Sequence, residues 1–224
     1  MNRLFSIMTL TLLIFGSKSA FALTRVPLEL DSQHWHLLEY HNIPANRVSQ
    51  NEGGIRIDVQ ASASPLIYTF EQPQSIRHIS VSGKISLLPA IPEGAQQGDR
   101  GADDFPFRLG LVLEGDKNLT FAQRLIASDW VKQLFDLAPE SSGIDQVRFL
   151  NLRNPAPVNW QQRIHPESRG LFTEVIVGQA DANMRFELEH TLDAPLRVLA
   201  LWISADGDDT GSFYSLTLDS VSYN

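Results

Sequence analysis

The 224-residue chain contains no cysteine. Disulfides, thiolate metal sites and cysteine nucleophiles are thereby excluded, and stability must come from the core. Basic residues are also scarce, with 18 Lys and Arg against 26 Asp and Glu and a net charge of −8. Phosphate binding depends on Lys and Arg, so nucleic acid is not an expected partner, and an acidic surface disfavours anionic lipid. Four catalytic signatures are missing as well: the G-x-S-x-G nucleophile elbow, the H-E-x-x-H zinc helix, the P-loop and the dinucleotide G-x-G-x-x-G. Nucleotide-driven and nicotinamide chemistry are therefore poor expectations.

The one long apolar run lies at the start. Arg3 supplies a positive charge, Leu4–Phe15 is apolar and uncharged, and the small-residue segment Gly16–Ala22 ends in Ala20-Phe21-Ala22. This is the pattern of a cleavable secretory signal peptide over residues 1–22. The run is shorter than the roughly 20 residues needed to span a hydrocarbon core of about 30 Å, and no second such run follows. The expectation is a soluble chain, Leu23–Asn224, exported to the periplasm or secreted, with no transmembrane segment. Cleavage removes Arg3 and Lys18 but no acidic residue, so −8 becomes −10.

Within those 202 residues, apolar and polar side chains alternate with the period of a strand in many segments. Ile55-Arg56-Ile57-Asp58-Val59 is the clearest. Others are Leu66–Phe70, Ile76–Leu87, Phe105–Leu113, Val147–Leu152, Phe172–Val177, Met184–Leu188, Leu196–Ile203 and Phe213–Val221. Gly53-Gly54, Pro73, Pro89, Pro92 and Asp193-Ala194-Pro195 read as turns between them. Pro89–Ala102 reads as an exposed loop and Asn154–Arg169 as a second irregular stretch. Helical spacing occurs in one place: Phe121, Leu125, Ile126, Trp130, Val131, Leu134 and Phe135 recur near every 3.6 residues, behind a Thr120/Gln123 capping box. The prediction is mainly β: one antiparallel β-sandwich or jelly-roll-like domain over residues 23–224, with a substantial α-helix at about 121–137.

Three patches resemble a bacterial family of exported proteins, DUF3047. They are Trp35 with Ala61-Ser62-Ala63-Ser64-Pro65-Leu66, then Asp103-Asp104-Phe105-Pro106-Phe107-Arg108-Leu109, then Asp206-Gly207-Asp208-Asp209-Thr210-Gly211. The chain departs from the family pattern between Gly115 and Asn151, where it carries the helical segment. The resemblance implies a secreted β-rich domain and carries over no established activity.

Five features could carry chemistry. Asp206-x-Asp208-x-Thr210-Gly211, with Asp209, matches the first half of a calcium loop, in which alternating oxygens converge on a hard cation. Thr217 stands where the bidentate Glu belongs, and an Asp/Gly strand-to-strand turn is the reading the same residues favour. Asp103 and Asp104 form an acidic pair ahead of Arg108; they could serve as acid and base on a glycosidic bond or be held in an ion pair. His34 and His36 share one face of an extended segment, a spacing open to a metal or to an ordinary wet strand face. Trp160, in the polar run Asn159-Trp160-Gln161-Gln162-Arg163, is an aromatic in a loop and, with Arg163, a ligand-contact candidate. Trp130 and Trp202 read as core. Finally, Asn118-Leu119-Thr120 is a sequon whose meaning depends on the host.

The functional expectation is an exported, non-enzymatic β-sandwich that binds a glycan or another envelope component through Trp160, Arg163, Asp103 and Asp104. Asp206, Asp208, Asp209 and Thr210 supply a structural calcium site or part of the ligand edge. The alternatives are a carbohydrate-active hydrolase or lyase using paired carboxylates, and a structural envelope protein.

Overall fold

The computed structural model describes residues 23–139, 141–166 and 168–224. The export-signal reading of residues 1–22 lies outside the described residues. Along the chain run β1 (Thr24–Arg25), β2 (Trp35–Leu37), β3 (Arg47–Asn51), β4 (Gly54–Gln60), β5 (Leu66–Ile85) and β6 (Phe107–Gly115). There follow α1 (Phe121–Ile126), α2 (Asp129–Phe135), β7 (Gly143–Arg153), β8 (Gln162–Ile164), β9 (Phe172–Gln179), β10 (Arg185–Ser204) and β11 (Phe213–Tyr223). No helix among the described residues is long and apolar enough to cross a membrane.

The strands hydrogen-bond in the order β3-β4-β11-β5-β10-β6-β7-β9-β8, with β1 beside β11 and β2 beside β5. The pairing is antiparallel with one exception. β9 runs parallel to β7, because the chain leaves β7, forms β8 at the sheet edge, and re-enters between the two. One buried cluster draws Ile55, Ile57 and Val59 from β4 and Leu216 and Leu218 from β11. It also takes Phe107, Leu109 and Leu111 from β6 and Leu150 and Leu152 from β7. Strands far apart in the ladder thus share one interior, the arrangement of a β-sandwich whose inner faces interdigitate.

Two sequence expectations need correction here. Pro73 and the Asp193-Ala194-Pro195 segment do not end strands; they lie inside β5 and β10, each 20 residues long. The β5–β10 ladder shifts register between Thr191 and Leu196 and again between Val198 and Ala200. Proline lacks the N–H a ladder requires, and a bulge is where a strand tolerates that loss.

The second correction concerns the helix at 121–137, which is two helices. The Thr120/Gln123 capping box forms, but Ala127 and Ser128 adopt extended backbone and separate α1 from α2. Trp130, Val131, Leu134 and Phe135 pack on a second apolar cluster with Ile67, Val147, Phe149 and Trp202. Phe121, Leu125 and Ile126 instead stand 80, 69 and 85% exposed. The break swings the first turn off the face that the second turn covers.

Candidate functional site

The site grows from strand alternation on the outer face of β10-β6-β7-β9-β8. Leu201 and Ile203 of β10, Leu109 and Leu111 of β6, and Leu150 of β7 point into the sandwich interior. The residues between them therefore face outward. Register aligns two rows there. One runs Trp202, Gly110, Phe149, Glu174, Arg163; the next runs Ser204, Arg108, Asn151. Gly110 has no side chain for a packing reason. A Cβ at this position would lie 2.8 Å from Phe149 Cε1 and 2.8 Å from Trp202 Cβ, so glycine lets the two rings meet across β6.

Beyond the aromatic part of the row the face becomes ionic. Arg108 donates from Nε to Asp206 Oδ2 at 2.5 Å, from Nη1 to Glu174 Oε1, and from Nη2 to the Asp103 carbonyl at 2.6 Å. Arg163 donates from Nε to Glu174 Oε2 at 2.5 Å, from Nη1 to the Gly98 carbonyl at 2.5 Å, and from Nη2 to Asp103 Oδ1 at 2.8 Å. Glu174, with its side chain 0% exposed, thus lies between two guanidinium groups. It also accepts from Asn151 Nδ2 at 3.1 Å. Each guanidinium in turn lies over a ring, Arg108 over Phe105 at 4.3 Å and Arg163 over Trp160 at 4.2 Å. Full use of both forks and both stacking faces gives an array of fixed geometry. His165 Nε2 sits 3.0 Å from Asp103 Oδ2.

The 206–211 turn locks onto this array. Asp104 accepts from Thr210 N at 2.7 Å, Thr210 Oγ1 at 2.6 Å and Asp209 N at 3.3 Å. Asp209 Oδ2 accepts from Asp103 N at 3.0 Å. These bonds engage oxygens that the calcium expectation would use. Asp206, Asp209 and Thr210 are turned to three different partners, and among the described residues no group of three acidic or imidazole side chains is placed to hold an ion. The ordinary Asp/Gly turn is what forms, with Gly211 at a φ of +67°. Asp208 differs from its neighbours: its carboxylate accepts from its own backbone N–H and has no side-chain partner among the described residues.

Burial sorts the carboxylates. Burial, reinforced by the nearby Asp104 and Asp208, pushes Asp206 up to about 7 even beside Arg108. Burial and then Asp104 push Asp208 up to about 6, and burial outweighs the Thr210 hydrogen bonds to raise Asp104. Burial would raise Asp103 too, but Arg108, the His165 hydrogen bond and Arg163 hold it below its ordinary value. Burial and the charge of Asp206 raise the Tyr40 phenol, which stays protonated.

These groups line one open cleft of about 970 Å³. Its apolar side is Tyr40, Trp130 and Phe172 laid over Trp202 and Phe149; Tyr40 meets Trp130 edge-on with centroids 5.5 Å apart, and Trp130 meets Trp202 edge-on at 6.2 Å. Its polar part is Asp103, Asp104, Arg108, Glu174, Asp206, Asp208 and Asp209, and Ile126 of α1 and the Ala127 that follows it also line the cleft.

The two acidic segments picked from sequence, 103–104 and 206–209, therefore meet in one place although about a hundred residues separate them. Arg163 lies one layer behind the cleft wall. Trp160 stands behind Arg163, its indole Nε1 buried without a partner, and does not line the cleft. The Pro89–Ala102 segment is not simply exposed: Gln97 is fully buried, donating to the Asp104 carbonyl and accepting from Asn154 N. His34 pairs with Asp31 at 3.1 Å and His36 approaches Thr69 at 3.4 Å, away from any shared ion. Sequence reasoning missed Tyr40, Phe172, Glu174 and His165 as site residues and placed Trp130 and Trp202 in the core. The alternation of β9 carried the one available signal, since a Glu at 174 breaks the apolar face begun by Phe172.

Among solved structures the chain is similar to one described as "xylan-binding module CBM15", with 11% identity, a TM-score of 0.38, and 90% of this chain and 94% of that chain covered. No family model and no curated protein matches the chain.

Proposed function

We propose that this chain is an exported carbohydrate-binding protein and that the sugar lies in the cleft against Tyr40, Trp130 and Phe172. The observation that carries the reading is the meeting, in one open cleft, of an aromatic wall with a rigid set of carboxylates and a guanidinium. A pyranose presents an apolar C–H face and a rim of hydroxyls. Flat rings suit the first, and fixed charged groups that accept or donate hydrogen bonds suit the second. Pre-formed geometry favours affinity because little side-chain freedom is lost on binding. A glycan array probed with residues 23–224 should give hits that disappear in Trp130→Ala; an array with no hit at all sinks the reading.

Hydrolysis is a second reading, favoured by one observation. Asp206 at about 7 and Asp208 at about 6 share the cleft with Asp103, which stays ionised. Carboxylates pushed apart in this way can divide the roles of acid and base. Release of reducing ends from a glycan that binds, abolished by Asp208→Asn with the melting midpoint preserved, would establish it. Binding without any release removes it.

A further inference from the structure

We infer that the glycan taken by this cleft carries a free ammonium group, as a hexosamine with an unacylated nitrogen does, and that Asp208 receives it. The inference rests on the carbohydrate reading above and adds the class of sugar.

Three observations lead there. First, the charges of the polar part are already committed in pairs, with one exception. Arg108 is bound by Asp206, Glu174 and Asp103, Arg163 by Glu174 and Asp103, and Asp104 by Thr210. Asp208, by contrast, accepts only from its own backbone N–H and from no other described residue, and it lines the cleft. A ligand's N–H groups can fill that vacancy and gain a charge-assisted hydrogen bond.

Second, the aromatic wall favours the same charge. The faces of Tyr40, Trp130 and Phe172 are electron-rich and attract a cation, while carboxylates Asp104, Asp206 and Asp209 in the same cleft add negative potential.

Third, no inner guanidinium fork remains open for a uronate. Arg108 and Arg163 have spent theirs, and Arg100 and Arg169 stand exposed at the rim, where water and salt screen them. His165 is engaged with Asp103. An anionic sugar would meet six cleft carboxylates, and the Arg108 that partly offsets them has its donors already engaged.

Calorimetry at neutral pH on the protein with four tetrasaccharides tests this: glucosamine, N-acetylglucosamine and glucose, each β-1,4-linked, and galacturonate. The glucosamine oligomer should bind about tenfold tighter than the acetylated and hydroxylated ones, the size of one charge-assisted hydrogen bond. That preference should weaken with added salt and collapse in Asp208→Asn. Equal affinity for the first three, or strongest binding of galacturonate, overturns the ammonium assignment and leaves the carbohydrate reading standing. A preference that survives Asp208→Asn overturns the role of Asp208. Absence of binding by all four overturns the inference, and the glycan array then decides the reading beneath it.

Discussion

Trp202 and Phe149 meet edge to face across Gly110, with ring centroids 5.3 Å apart and planes at 84°. The contact ties β10 to β7 over the intervening strand and makes the floor on which Trp130 and Phe172 rest.

Gly110→Ala should therefore act on the site as well as on stability. The added methyl would meet the side chains of Phe149, Trp202 and Val147 at 3.0 Å or less, and overpacking of this kind destabilises by about 1 to 3 kcal/mol. Denaturant unfolding should record the loss, and ligand affinity should fall with it. An unaffected midpoint would mean that the floor yields freely.

Glu174→Gln tests the ionic half. The substitution keeps the shape but leaves Arg108 and Arg163 facing a neutral amide in a buried setting, where breaking a charge pair typically destabilises by about 3 to 5 kcal/mol. Chemical denaturation measures it directly. A change below about 1 kcal/mol, the range of exposed pairs, would place the array in effective contact with water.

Much of this architecture was legible in the sequence, for physical reasons that particular residues make plain. Ile55, Ile57 and Val59 are buried and Arg56 and Asp58 are not, because a strand's period of two leaves no freedom once one face is covered. Pro73 and Pro195 misled because a proline at a bulge and a proline in a loop look alike until a partner strand is present. Helical spacing likewise ran unbroken from Phe121 to Phe135, while the break at Ala127-Ser128 is set by what each turn finds to pack against. Acidic segments 103–104 and 206–209 were visible as chemistry, but their meeting depends on the pairing of β6 with β10. Trp160 stood out as an aromatic in a polar loop. The Arg163 guanidinium that covers it could not be seen without the fold.

That covered position yields a further expectation. Trp160→Ala should remove the surface on which Arg163 rests and lower stability by about 2 kcal/mol, within the range for a lost aromatic and its cation contact. Affinity should fall less than it does in Trp130→Ala, since Trp160 does not line the cleft. Calorimetry on the two variants side by side would distinguish a supporting ring from a contacting one; a larger loss at Trp160 would reverse the assignment.

The raised carboxylates give stability a pH dependence whose sign is fixed. Asp206 and Asp208 have ordinary values of 3.8 and folded values of about 7 and about 6. Between those limits the folded chain holds protons that the unfolded chain releases, so their contribution to stability declines as pH rises through that window. Asp103, held low, contributes in the opposite sense, with stability present above its ordinary range and lost as pH falls through its folded value. Asp208→Asn should thus melt higher than the parent chain at about pH 8 and no differently at about pH 2.5, well below the ordinary value, where both states are protonated. A variant that melts lower at the higher pH would show that the carboxylate stabilises the fold.

Calcium should have little effect, because the Asp206, Asp209 and Thr210 oxygens already serve Arg108, Asp103 and Asp104. A melting curve with saturating calcium should move by less than about one degree; a larger rise would require a site that binds the folded state alone.

The central claim is that a sugar lies against the aromatic wall of the cleft, and calorimetry on the parent chain and Tyr40→Ala, Trp130→Ala and Phe172→Ala tests it most directly. With a glycan identified by array, each variant should lose about 1 to 3 kcal/mol of binding free energy while remaining folded by circular dichroism. Full affinity in all three would place the sugar elsewhere and contradict the account.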